Sequence, residues 1–265
     1  MKNKRIALIS GASSGIGYET ALLLLKEDYH VVNLSRRDFT HPNIEHIKCD
    51  VTDKEQVEKA VAQVIAKYGV IDLLVCAAGY GIAGAIEFTK EDDFKRQIDV
   101  NFFGTVHLVQ ASLAHMRKEK SGRIICLSSV AGVISIPFQA FYSISKSAIN
   151  SFVTALSHEV RPFNIKVTAL MPGDTKTAFT ASRVTNLAGN DLYENRIGKS
   201  IEVMEKDEMS GDNPKDIAKD IVKISKMKHP LALYTAGFKY KVFVLLQKLL
   251  PQRLISKIIF MMYAK

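Results

Sequence analysis

The sequence predicts a single α/β domain, a doubly wound parallel sheet with helices on both faces, followed by a C-terminal amphipathic helical extension. Three observations carry that expectation. Short apolar, β-branched runs such as IDLLVC at 71–76 alternate with longer segments of helical periodicity. The first run, RIALIS at 5–10, passes directly into a glycine loop that opens a helix. A chain of 265 residues, 47% hydrophobic, is long enough to bury one full core.

In chain order, GASSGIG at 11–17 joins the first strand to a helix running through Leu25. Gly11 permits the turn, Gly15 lets backbone approach a pyrophosphate, and Gly17 allows close helix packing. Phosphates would then sit at a helix N-terminus, where free N–H groups and the dipole favour anions. The spacing is G-x-x-x-G-x-G, not the usual G-x-G-x-x-G. The second strand, 30–35, ends at Ser35, followed by Arg36 and Arg37. A carboxylate at that end would accept from ribose hydroxyls and repel a 2′-phosphate, whereas two guanidiniums suit a phosphate. The expected cofactor is therefore NADP(H) in preference to NAD(H).

The third strand, 44–50, brings Asp50 and Val51 to the sheet edge, the first for an adenine amino group and the second for the ring face. The Pro-containing RRDFTHPN replaces the crossover helix between strands two and three. Residues 54–68 read as a helix with Thr52 or Asp53 as N-cap. Strand 71–76 reads as central and buried on both faces, bounded by the small-residue loop Ala77, Ala78, Gly79. A long helix over 91–116 carries Asp99, Asn101 and Gly104 in its middle. Asn lowers helix propensity, so Asn101 marks either a plain bend or a kink whose freed carbonyl holds a water beside Lys146.

The stretch 122–146, GRIICLSSVAGVISIPFQAFYSISK, carries the chemistry. A buried strand ends at Ser128 and Ser129, and the next helix places Tyr142 and Lys146 four residues apart on one face. A phenol has a reference pKa of about 10; a neighbouring ammonium favours the phenolate and should bring it nearer working range. Ser129 is placed to hydrogen-bond a carbonyl or alcohol beside it. Strand 165–170 leads into MPGDTKT at 171–177, where Pro172 and Gly173 break direction and Thr175 and Thr177 offer hydroxyls. Residues 178–213 are polar and weakly periodic, and read as a long irregular segment covering the substrate. Asn213-Pro214 opens a helix over 214–227, and 231–237 reads as the final strand.

A formal net charge of +9 suits nucleic acid, a membrane surface or an anionic ligand, and no nucleic-acid module is visible. Cys49, Cys76 and Cys126 lie in apolar runs without metal spacing and read as reduced core residues of a cytoplasmic protein. The seven histidines form no metal motif, so no metal is expected. The chain enters its first strand almost at once, which argues against a signal peptide.

Taken together, the glycine loop, Asp50-Val51, Asn101, Ser129, the Y-x-x-x-K pair and the Pro172-Gly173 turn resemble the short-chain dehydrogenase/reductase family, over about residues 4–237. The resemblance implies a Rossmann-type domain over 1–237 that interconverts a ketone and a secondary alcohol with a nicotinamide cofactor. It implies Tyr142 as general acid/base, Lys146 as its partner on the nicotinamide ribose, Ser129 orienting the substrate oxygen and Asn101 supporting a water relay. It also implies a pyrophosphate loop of Gly11, Ser13, Ser14, Gly15, Ile16 and Gly17, and a carboxamide border over 172–177. Family members commonly pair through the helices carrying Asn101 and Tyr142, so a homodimer or tetramer is expected. Two positions depart from the family. Ser10 replaces the usual Thr, and Cys76 stands where an Asn is more usual, which puts the part of Cys76 in cofactor binding in doubt.

Residues 238–265 exceed what a minimal member needs. Val242, Leu245, Leu246 and Leu249, then Leu254, Ile258 and Met261, fall at helical spacing, with Lys241, Lys248, Arg253 and Lys257 unbalanced by any acid. Pro251 and the charges exclude a spanning helix. A basic amphipathic hairpin either lies on an anionic bilayer, covers an apolar pocket, or packs on the domain or a sister subunit. Similar tails occur in members resembling 17β-hydroxysteroid dehydrogenases and lipid ketone reductases, which points to a hydrophobic steroid-like or lipid-like ketone. A 3-oxoacyl-thioester reductase and a non-catalytic NADP(H)-sensing protein are the competing readings.

Overall fold

A computed structural model describes residues 4–265, so the reading of the extreme N-terminus as lacking a leader lies in part outside the described residues. The elements run β1 (Arg5–Ser10), α1 (Gly15–Lys26), β2 (Tyr29–Ser35), β3 (Ile44–Lys48), α2 (Lys54–Tyr68), β4 (Leu73–Cys76), β5 (Ile82–Ala83) and α3 (Glu91–Ile98). They continue with a π turn (Asp99–Phe103), α4 (Gly104–Glu119), β6 (Gly122–Leu127), α5 (Ala140–Glu159) and β7 (Ile165–Met171). Then come α6 (Phe179–Ser182), β8 (Val184–Thr185), α7 (Arg196–Met209), α8 (Pro214–Lys226), β9 (Leu233–Thr235), α9 (Phe238–Leu249) and α10 (Gln252–Tyr263).

Seven strands form one parallel sheet in the order β3-β2-β1-β4-β6-β7-β9. The order reverses between β1 and β4, and the crevice at such a switch point is where open α/β sheets hold ligands. Central strands are apolar on both faces because helices cover both: Leu73, Leu74 and Val75 of β4 are fully buried. One face carries α2, α4 and α5 against Val57, Val64, Leu108, Ile149 and Val153. The other carries α1 and α8 against Leu24, Ile217 and Ile221. The expected doubly wound fold is thus the observed one, including the missing helix between β2 and β3.

Four local expectations are corrected. β3 stops at Lys48, so Asp50 and Val51 lie in the turn beyond it. The helix expected over 91–116 is broken by the π turn at 99–103; there Gly104 lies against Val51, so close that a Cβ would sit 2.6 Å from that side chain. The segment 178–213 is largely ordered, with β8 pairing β5 and α7 burying Ile197, Ile201 and Met204 on one face. The tail is helical as expected, but it packs through Tyr240, Val244 and Ile255, leaving Leu245 and Leu249 in solvent. Among the described residues no helix is long and apolar enough to cross a membrane.

Candidate active site

One cavity of about 1030 Å³ lies over the C-terminal ends of β1, β2, β4, β6 and β7. Its first wall is the glycine loop. Gly11 adopts φ +75°, and a Cβ there would stand 2.9 Å from Ala78 Cα, so the loop needs glycine on both counts. The loop is pinned from below: Gly11 N–H donates to the Leu34 carbonyl (2.9 Å) and Ala12 N–H to Asn33 Oδ1 (3.0 Å). No acceptor among the described residues takes the N–H groups of Ser13, Gly15 or Ile16. Those free donors at the start of α1 are what an anion requires.

At the adjoining end stand Ser35, Arg36 and Arg37. Arg37 Nη2 reaches Ser14 Oγ at 3.4 Å, and Arg36 Nη1 lies 3.8 Å from Asp50 Oδ2. Both guanidiniums are exposed, and no carboxylate ends β2. Free loop donors beside two cations fit a phosphorylated dinucleotide. Asp50 departs from its expected place. Its Oδ1 accepts from both the N–H and hydroxyl of Thr52 (3.0 and 2.8 Å), and the residue does not line the cavity, whereas Val51 does.

Ala77, Ala78 and Gly79 form the floor. The Ser10 hydroxyl accepts from the Ala77 and Ala78 N–H groups (3.1 and 3.3 Å), the polar tie that this loop needs. Cys76 is buried and does not line the cavity; a hydrogen bond with the neighbouring Cys126 thiol on β6, and then burial, push its own thiol well up. Asn101 is also outside the cavity. Its side chain braces the floor, Oδ1 accepting from Tyr80 N–H (3.0 Å) and Nδ2 donating to the Tyr80 carbonyl (3.0 Å) and Ser145 Oγ (3.1 Å). The Asn101 carbonyl accepts the Thr105 hydroxyl at 3.0 Å and keeps a second lone pair.

Ser129, Tyr142 and Lys146 meet at the centre of the cavity wall. Lys146 is buried and its Nζ donates to the Leu127 carbonyl at 2.8 Å, 5.6 Å from the centre of the Tyr142 ring. Burial pushes the ammonium down to about 8. Burial likewise pushes the Tyr142 phenol up to about 12, with a hydrogen bond to Ser129 pulling the other way. Burial leads the influences on the phenol, against the draw towards neutral pH expected of Lys146, whose ammonium stands 5.6 Å from the ring centre. The Ser129 hydroxyl itself accepts from Ala131 N–H (3.1 Å) and points towards the Pro172 carbonyl (3.4 Å).

Pro172, Gly173, Thr175 and Thr177 line the cavity, with Thr177 beside Gly15 of the glycine loop. Much of the remaining wall comes from the 178–213 segment and the tail, most of whose lining residues the sequence did not single out. Phe179 packs 5.5 Å from the Tyr142 ring, and Asp174, Asp207 and Glu208 line the same region. Glu208 accepts from Thr180 (2.6 Å) and from the buried Arg183, while burial pushes its carboxyl up. Tyr240 of α9 lies over Gly173, in the space a Cβ would need, and its hydroxyl bonds the Asp174 N–H and carboxylate, each at 2.9 Å. Beyond it, Phe243, Leu246, Leu250, Ile258 and Met262 continue the wall. Among the described residues no cluster of three His, Cys, Asp or Glu is placed to hold a metal ion.

A glycine loop feeding a helix at the sheet's switch point, with a serine, tyrosine and lysine converging beside it, defines a nicotinamide-dependent oxidoreductase of the doubly wound class. Residues 5–188 match the short chain dehydrogenase family profile, and the chain belongs to the short-chain dehydrogenase/reductase family. It is similar to a 3-ketodihydrosphingosine reductase of Bacteroides thetaiotaomicron, with 40% identity over 85% of each chain. It is also similar to VdlC, a probable short-chain type dehydrogenase/reductase of Helicobacter pylori, with 32% identity over 93% of each chain. Among solved structures, a Streptomyces avermitilis short-chain dehydrogenase superposes with a TM-score of 0.84 (27% identity, 92% of each chain). ElxO with NADP bound superposes with 0.74 (28% identity, 90% of this chain and 99% of that one).

Proposed function

We propose that this protein is an NADPH-dependent reductase that converts a long-chain lipid ketone to a secondary alcohol. The observation that carries the reading is the continuity of the cavity: it runs from Arg36 and Arg37, past Ser129, Tyr142 and Lys146, to an apolar wall built by the C-terminal hairpin. The free loop N–H groups and two guanidiniums would hold the pyrophosphate and 2′-phosphate, with Thr175 and Thr177 at the carboxamide. The bound cofactor supplies hydride. Ser129 Oγ orients the carbonyl oxygen, and Tyr142, held as a neutral phenol by burial, gives its proton to that oxygen as the alcohol forms. Lys146 stabilises the tyrosinate left behind until a solvent proton replaces the one given up. Asn101 positions the floor on which these groups rest.

Asp174 and Asp207 line the substrate end with Lys239, and accept the Tyr240 and Tyr263 hydroxyls at 2.9 and 3.4 Å. Two such carboxylates disfavour a phosphorylated acyl carrier, and so favour a neutral or cationic lipid over the 3-oxoacyl thioester. A ketone of the 3-ketodihydrosphingosine type, named for the Bacteroides relative, joins an amino group to a long saturated chain and suits both features better than a rigid steroid does. Pairing of subunits through α4 and α5, and contact of the tail with a membrane, complete the proposal. The test is NADPH oxidation, followed at the nicotinamide absorbance, against long-chain amino ketones, plain long-chain ketones, ketosteroids and acetoacetyl thioesters. Turnover led by the long-chain ketones supports the reading. Preference for thioesters, or tight NADPH binding with no turnover, overturns it.

A further inference from the structure

The hairpin of α9 and α10 has two apolar surfaces and only one is needed by the cavity. Eleven of the nineteen large hydrophobic residues left exposed among the described residues lie between Phe238 and Met262. Phe238, Leu245 and Leu249 are 83%, 55% and 70% exposed and line no pocket. The 28 residues from Phe238 to Lys265 carry Lys239, Lys241, Lys248, Arg253, Lys257 and Lys265 and no acidic residue. A patch this large on one end of a domain marks an interaction surface. Leu246, Ile258 and Met262 belong to both surfaces: they line the cavity and remain about half exposed. The outer face is therefore the rim of the substrate arm.

We propose that this face docks on an anionic lipid bilayer, with Lys241, Lys248, Arg253, Lys257 and Lys265, none of which lines the cavity, at the headgroups and the Leu245 and Leu249 edge among the acyl chains. The charge singles out the occupant, since a wholly basic, wholly unbalanced rim complements anionic headgroups and is repelled by a second copy of itself. Docking sets the rim formed by Leu246, Ile258 and Met262 against the bilayer, so a lipid ketone slides from membrane to Tyr142 without crossing water. This last step rests on the lipid-ketone reading above; the docking itself does not.

The test uses the full chain and flotation with phosphatidylcholine vesicles, with and without 30% phosphatidylglycerol, roughly the anionic fraction at which polybasic faces respond. Binding is expected on the anionic vesicles, weak on the neutral ones, and reduced at least about tenfold in 0.5 M salt as the charges are screened. The double variant Leu245→Glu, Leu249→Glu should lose binding by about tenfold or more. It should keep NADPH affinity and turnover of a short water-soluble ketone, while losing turnover of a long-chain ketone supplied in vesicles. Equal binding by both vesicle types, or none, overturns the proposal. So does a variant that floats like the parent chain, or a parent chain that ignores vesicles and is an oligomer which the same substitutions dissociate. Docking without turnover of any ketone would leave the surface standing and remove only the substrate reading.

Discussion

Replacing Arg36 and Arg37 together with alanine should change which dinucleotide the protein prefers. Both guanidiniums stand in solvent: the Arg36 side chain is 52% exposed and 3.8 Å from Asp50, and Arg37 makes only a 3.4 Å contact with Ser14 Oγ. A hydrogen bond to a charged group contributes about 1.5–3 kcal/mol, and solvent puts these two at the low end. Sharing one phosphate, they fall short of strict additivity, so about 2–3 kcal/mol is lost, on the order of 30- to 100-fold in Kd for NADPH. NADH lacks the 2′-phosphate and should change by less than about threefold. Arg36→Ala alone should cost more than Arg37→Ala, because it also leaves the nearby Asp50 carboxylate without the cation 3.8 Å from it. The assay is a fluorescence titration of NADPH and NADH at two salt concentrations, with the NADPH affinity of the parent chain the more salt-sensitive. Equal losses for the two dinucleotides would refute the phosphate assignment.

Three further outcomes follow from the same geometry. Tyr142→Phe should cut kcat by about 10²–10⁴, the usual contribution of a positioned acid, with NADPH affinity within about twofold of the parent; a variant retaining more than a tenth of the rate would refute the proton donor. The Lys146 ammonium, pushed down to about 8, is present below that pH and lost above it, whereas Tyr142, pushed up to about 12, keeps its proton throughout. The reduction rate should thus fall on an alkaline limb near pH 8, and a flat kcat profile from pH 6 to 10 would contradict the role given to Lys146. Gly17→Ala places a Cβ 2.5 Å from the Gly11 carbonyl oxygen, a backbone atom. It should lower stability by about 1–3 kcal/mol and weaken NADPH at least about tenfold, read by thermal melting and by the same titration.

The sheet and its glycine loop were legible because their signals are local. Apolar runs of strand length, and a turn that only glycine fits, depend on few neighbours. The π turn at Asn101 was half legible: the helix-disfavouring residue was visible, but its partners Tyr80 and Ser145 come from two other elements. Asp50 was misplaced by its motif, although the D-x-T spacing that lets Thr52 occupy its carboxylate is itself a readable turn signal. α7 escaped notice because Ile197, Ile201 and Met204 recur at helical spacing within a strongly charged stretch, and that dilutes the pattern. Asp207 and Glu208 reach the site only by that helix, and nothing near Tyr142 in the sequence points to them. The part that burial plays at the phenol was not legible, since spacing reveals a neighbouring cation but not the depth of burial.

Tyr240 gives the extension a mechanical meaning. Its ring fills the place of the side chain Gly173 lacks, and its hydroxyl holds the Asp174 backbone, so the tail is keyed into the loop proposed to border the nicotinamide. Lifting the hairpin breaks the hydrogen bonds that shape this border, and disturbing the border loosens the hairpin. The proposed door for a lipid and the proposed shelf for the nicotinamide are therefore hinged on one residue, and a chain cut after Gly237 should lose both at once.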